Sequence, residues 1–130
     1  MEGFSKADFY ERSGDFADVI LPNGINIIDY MEIYDNFWEI GSWINNVHKK
    51  LEKGIAVIVI QKKSGADIGR GGEMTLEKPR LYLSLKNNAP HGHICKIIKA
   101  KAFIDHNVNP NGFEIDYKLV QGEEFFEIPN

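Results

Sequence analysis

Two polar side chains stand where apolar stretches end. Asp29 follows Ile25-Asn26-Ile27-Ile28, and Gln61 follows Ile55-Ala56-Val57-Ile58-Val59-Ile60. In open α/β sheets, ligands bind outside the carboxyl ends of the strands, so both groups point where a ligand belongs. A lone carboxylate there suits Mg²⁺, which takes one or two protein carboxylates and fills its shell with water and phosphate. A glutamine amide can orient a water or read a phosphate. The plainer readings are an ordinary acidic strand end and a residue emerging into a loop. Directly after Gln61 come Lys62, Lys63, Ser64, Gly65, Ala66, Asp67, Ile68, Gly69, Arg70, Gly71 and Gly72. Glycine lets backbone approach a phosphate and cations neutralise it. The plainer reading is a flexible solvated loop. No Gly-x-x-x-x-Gly-Lys-Ser/Thr phosphate loop occurs in the chain.

The remaining reactive side chains do not converge. His91 and His93 flank Gly92 with no third ligand at a familiar spacing, so an exposed turn is expected rather than a metal site. His48 and His106 add nothing to them. Cys95 lacks an activating neighbour in sequence and reads as a strand thiol. Being the one cysteine, it excludes an internal disulfide and multi-cysteine zinc frameworks.

The elements that position Asp29 and Gln61 are legible from periodicity. Residues 25–30 read as an apolar strand. Phe37, Ile40, Ile44, Val47 and Leu51 then recur at helical steps. Asn36 with Glu39 has capping-box spacing; Lys49, Lys50 and Lys53 crowd the far end, and Gly54 stands where a C′ glycine would stop the helix. Residues 55–60 are too short and too β-branched for a helix and read as a strand buried on both faces. Strand, helix, strand is a parallel βαβ unit. Upstream, residues 4–12 suggest a short helix with Ser5 as cap. Downstream, residues 64–79 read as a long loop. Strands over 81–86, 94–103 and 113–119 have no helices between them and predict hairpin pairing, with Asn109-Pro110-Asn111-Gly112 as the last turn. The fold class is therefore α/β: a parallel βαβ unit followed by an antiparallel β extension.

The chain has 130 residues, 43% hydrophobic and 26% charged, enough for one core, so a single domain over residues 1–130 is expected. Its longest apolar run, residues 55–60, falls far short of the roughly 20 residues that span a membrane, and the N-terminus shows no signal peptide; a cytoplasmic protein is expected. The net charge of −4 divides into −7 over residues 1–46, +8 over 47–101 and −5 over 102–130. A basic middle can serve a polyanion despite the acidic sum, although charges distant in sequence also mix in space.

Taken together, Asn26-Ile27-Ile28-Asp29-Tyr30-Met31-Glu32-Ile33, the helix, and the strand closing in Gln61 resemble the RecA-like ATPases. The chain looks most like the ATPase domain of replicative DnaB-type helicases and related phage or plasmid proteins. That family writes its Walker B strand as apolar residues followed by Asp-Tyr-Leu-Gln-Leu, which Asp29-Tyr30-Met31-Glu32-Ile33 matches conservatively. The resemblance implies that Asp29 holds Mg²⁺, that Gln61 senses the γ-phosphate, and that Lys62, Lys63 and Arg70 lie on the loop facing nucleic acid. It also places Lys101 on a strand that presents Lys-x-Arg to a neighbouring subunit's nucleotide, with Phe103 where the arginine finger would be.

The resemblance covers about residues 24–120 and contains no P-loop strand or helix. The expected fold is thus the C-terminal half of a RecA-like P-loop NTPase core, without its Walker A half: a fragment, a truncated gene or a vestige. The function implied is part of an ATP-dependent DNA helicase. ATP and Mg²⁺ would belong to the complete protein and not to this chain alone. The partners implied are single-stranded nucleic acid, DNA above all, and further copies in a ring, with no membrane. The alternative is a non-catalytic nucleic-acid-binding or assembly module that keeps the fold without the chemistry; an unrelated small α/β binding domain would make the Asp29/Gln61 pairing accidental.

Overall fold

The computed structural model describes residues 6–129. The chain divides into two compact units, Met1–Gln61 and Lys62–Asn130. The protein is α/β, with a two-stranded parallel sheet in the first unit and a four-stranded antiparallel sheet in the second. Among the described residues, no helix is long and apolar enough to cross a membrane.

In the first unit, β1 (Ile25–Met31) and β2 (Ile55–Ile60) pair in parallel through the crossover helix α1 (Glu39–Lys50). The helix forms where the apolar stripe predicts it. Ile40, Ile44 and Val47 are buried against Ile28 and Met31 of β1 and Phe16, which lies in a 3-10 turn at Phe16–Val19. Phe16 meets Trp43 edge to face at 5.5 Å, fixing this turn against the helix. Asn26 is the polar exception on the packed face of β1. Its amide accepts from the Leu21 N–H at 2.8 Å and donates to the Leu21 and Ile55 carbonyls at 2.9 and 3.1 Å, tying the turn before β1 to both strands.

Three local expectations are corrected. No helix forms over residues 6–12; residues 4 and 5 lie outside those described. Asn36 does not cap α1 with its side chain: it sits at φ 49°, its carbonyl accepts from the Glu39 N–H, and its amide turns to the Glu39 carboxylate. The helix stops at Lys50 with Leu51 as its extended cap, so Gly54 is no C′ glycine. Gly54 is instead required by packing, because a Cβ there would lie 2.5 Å from the Gly24 carbonyl oxygen.

The fourth correction matters most. β2 is not buried on both faces. Ala56, Ile58 and Ile60 pack inward, while Ile55, Val57 and Val59 remain 57%, 51% and 44% exposed, beside Ile25 and Ile27 of β1 at 72% and 71%. With two strands and one helix, only one face of the sheet is covered.

In the second unit, β3 (Leu81–Asn87), β4 (His93–Ala100), β5 (Glu114–Val120) and β6 (Glu124–Glu127) form an antiparallel meander in chain order. The hairpin pairing expected of the later strands is present. Alternation along the sequence does not mark β6, whose tight turn places Gln121 and Gly122 at φ 55° and 73°. One face of this sheet carries Leu81, Leu83, Leu85, Ile115, Leu119 and Phe125, all exposed.

Candidate functional site

Parallel pairing places Asp29 and Gln61 at the same, C-terminal edge of adjacent strands. Ile28 is paired with Ile58 and Met31 with Ile60, so Asp29 stands between those rungs and Gln61 directly beyond the second. The register shifts between Ile28 and Met31, so Asp29 and Tyr30 are both exposed there, and Gln61 directly follows β2, whose Ile55, Val57 and Val59 are exposed. Both side chains are exposed, and Asp29 takes no ion pair or side-chain hydrogen bond among the described residues. An unengaged carboxylate at a parallel-strand terminus fits a hard cation that keeps most of its shell for water and phosphate. Just beyond, the Tyr34 hydroxyl is pushed above the ordinary tyrosine range by its hydrogen bond to the Glu32 carboxylate and by desolvation.

The glycine-rich segment that begins the second unit is not a loose loop. Lys62 bridges to Gly69, and its ammonium donates to the Ala66 carbonyl at 3.0 Å and to the Ser84 hydroxyl at 2.9 Å. A 3-10 turn, Gly72–Leu76, closes the segment. Thr75 is fully buried there. Its one hydroxyl proton goes to the Gly72 carbonyl at 2.7 Å, so the 3.0 Å contact with Tyr82 has the tyrosine as donor. The same Tyr82 oxygen accepts the Gly69 N–H at 2.8 Å. Lys63 and Arg70 are exposed on this segment, while Lys62 is half-buried and held at its tip.

Asp67 adds a clasp, its carboxylate accepting from the Lys96 ammonium at 2.8 Å. The hydrogen bond from Lys96 holds the Asp67 carboxyl below its usual range, and the same contact raises Lys96. A lowered carboxyl stabilises the fold above the unfolded aspartate value and loses that contribution as pH falls through the folded one. A raised lysine contributes below the ordinary lysine value and loses it as pH rises through the folded one. Asp67→Asn is therefore expected to flatten the acid limb of an unfolding titration, and to leave the chain's stability between those limbs little changed because the pair is solvated. An unaltered acid limb would show that the clasp does not form in solution.

Lys101 is exposed just past β4, with its N–H donating to the Arg80 carbonyl at 2.9 Å and its ammonium 3.5 Å from the Glu77 carbonyl. Phe103 is half-buried nearby in sequence. His91 lies in the turn between β3 and β4, whereas His93 begins β4 and tilts against Tyr117 at 5.3 Å. Among the described residues, no three His, Cys, Asp or Glu side chains converge as a metal site. Cys95 is half-buried, and desolvation pushes its thiol above the usual range, away from thiolate reactivity. Thr75 and Tyr82 escape sequence reading, because a clasp between a loop and a strand leaves no spacing signature. Arg80 escapes it too, since it meets Lys101 only through strand pairing. No protein-family model, no curated protein and no solved structure matches the chain.

Proposed function

We propose that the chain is the Mg²⁺-binding and phosphate-sensing part of a RecA-like, ATP-dependent DNA helicase. The observation that carries this reading is the open face of the parallel sheet, with Asp29 and Gln61 at its C-terminal edge. Parallel sheets are covered on both faces, because the crossovers that make them parallel lay helices there. The five exposed β-branched side chains on this face represent on the order of 1–2 kcal/mol each of unclaimed burial. A further strand and helix carrying a phosphate loop would cover that face and bring the ligand's phosphates to Asp29 and Gln61. When bound, Mg²⁺ would neutralise the phosphate charge; Asp29 would hold it, and Gln61 would orient the attacking water. Lys63 and Arg70, with Lys62 ordering their segment, would meet the phosphates of single-stranded DNA. Lys101 would reach the nucleotide of the next copy in a ring.

Alone, the chain is expected not to hydrolyse ATP, since its sequence holds no Gly-x-x-x-x-Gly-Lys-Ser/Thr loop to cradle the β- and γ-phosphates. Hydrolysis by the purified chain that disappears in Asp29→Asn would overturn that expectation. The test of the whole reading is complementation with a separately produced strand–phosphate loop–helix segment. Hydrolysis should then appear and fall by about 100-fold or more in Asp29→Asn. No gain of hydrolysis on complementation, or activity indifferent to Asp29, would sink the reading.

The alternative, a nucleic-acid-binding module without catalysis, is favoured by one observation: Ser84, Tyr82 and Thr75 of the second unit itself hold the basic segment in place. In either case, replacing Lys62, Lys63 and Arg70 by alanine should weaken single-stranded DNA binding. The log–log salt slope should fall by about 0.7 for each phosphate that the altered segment no longer neutralises. Unchanged affinity and slope would reduce the segment to a structural loop.

A further inference from the structure

The open end of the β3–β4 hairpin gathers three cations with no carboxylate paired to any of them among the described residues. Leu81 pairs with Ala100, and the Lys101 N–H donates to the Arg80 carbonyl, so Arg80 and Lys101 stand directly opposite one another on one face. Lys99 pairs with Tyr82 one rung inward on the same face. Its ammonium donates to the Leu76 and Glu77 carbonyls, lying 3.4 Å from the latter, and the Lys101 ammonium lies 3.5 Å from that same oxygen. Two ammonium groups thus converge on one carbonyl, on the face of the hairpin where Arg80 stands opposite Lys101. Desolvation, together with repulsion from Lys101, lowers Lys99, against a smaller opposing pull from Glu77. The ion pairs Arg12–Asp18, Lys86–Glu114 and Lys96–Asp67 all lie elsewhere in the chain.

Like charges directly opposite across a strand pair are destabilising, and carbonyl oxygens offset that only in part. We propose that Arg80, Lys99 and Lys101 form a binding site for the polyphosphate chain of a nucleotide. Arg80 supplies a planar fork that takes two phosphate oxygens at once, and the lysines act as point charges. The compactness of the cluster selects the ligand. Two converging ammonium groups, with a third cation opposite on the same face of the hairpin, match the concentrated charge of a polyphosphate, whereas a nucleic-acid strand spreads its charges singly along a groove. In its choice of ligand the proposal rests on the reading above, which used Lys101 alone. Its geometry supplies from β3 the guanidinium that Phe103 does not.

The test is calorimetric titration of the purified chain with inorganic tripolyphosphate, with a short oligothymidylate as a second arm. Tripolyphosphate should bind the unaltered chain and bind about tenfold more weakly to Arg80→Ala, with Arg80→Lys failing to restore it. Oligothymidylate affinity should not move in Arg80→Ala. Thermal unfolding guards against misfolding: Arg80→Gln/Lys101→Gln should melt no lower than the unaltered chain, and tripolyphosphate should raise the midpoint of the unaltered chain only. Absence of tripolyphosphate binding, equal affinity in the variants, or an equal loss for oligothymidylate would overturn the site. Tripolyphosphate binding is read on the purified chain without the complementing phosphate-loop segment, whereas the ATPase reading is read only with it, so the site survives or fails separately from that reading.

Discussion

Replacing Ile44 by alanine is expected to destabilise the first unit by about 2–5 kcal/mol, the cost of the lost transfer energy together with the cavity left behind. Ile44 lies midway along the buried stripe of α1, between Ile40 and Val47, and faces β1. Among the described residues, only six hydrophobic side chains form that buried cluster, so one deletion removes a large share of what holds helix to sheet. The matched control is one strand away. Ile27→Ala should change stability by no more than about 0.5 kcal/mol, because Ile27 is 71% exposed, whereas its neighbour Ile28 is buried and should behave like Ile44. Denaturant unfolding followed by far-UV circular dichroism measures all three, since α1 is the one α-helix among the described residues. Equal costs at Ile27 and Ile28 would mean that the outer face of the parallel sheet is not open.

Tyr82→Phe is expected to cost roughly 1–3 kcal/mol and to loosen the basic segment of the second unit. The substitution keeps the ring and removes one oxygen, but that oxygen accepts the Gly69 N–H and donates to Thr75. Gly69 and Thr75 are both buried, so water cannot readily replace either bond. Hydrogen exchange at the Gly69 amide and limited proteolysis across residues 62–76 should both accelerate. Thr75→Val tests the same chain of hydrogen bonds from its other end, leaving the Gly72 carbonyl without its donor. Slow exchange at Gly69 in Tyr82→Phe would show that the segment is held by something other than this clasp.

These residues also mark how far local pattern reaches. The βαβ unit was legible because burial on one side of a helix imposes a 3.6-residue period, and Phe37, Ile40, Ile44, Val47 and Leu51 display it undiluted. The shared edge of Asp29 and Gln61 followed from the same pattern, since two strands joined by one helix run parallel and present the same end. The first three strands of the meander were legible from alternation and from the Asn-Pro-Asn-Gly turn, and β6 was not.

Three features were settled only by tertiary contacts. An unbroken apolar run such as Ile55 to Ile60 shows that a strand is suited to burial on both faces, but how many faces are covered depends on which elements are present to cover them. Here one helix covers one face. Gly54 looked like a helix stop and proved to be the place where two backbone segments touch, a constraint set by residues 30 positions earlier. The glycine-rich segment looked like solvated loop because glycine and lysine carry no periodicity. Its order comes from Tyr82, Thr75 and Ser84, whose hydroxyls acquire partners only once the strands are in register. Periodic burial is written along the chain, one residue after another; pairing between polar groups distant in sequence exists only after the chain has folded.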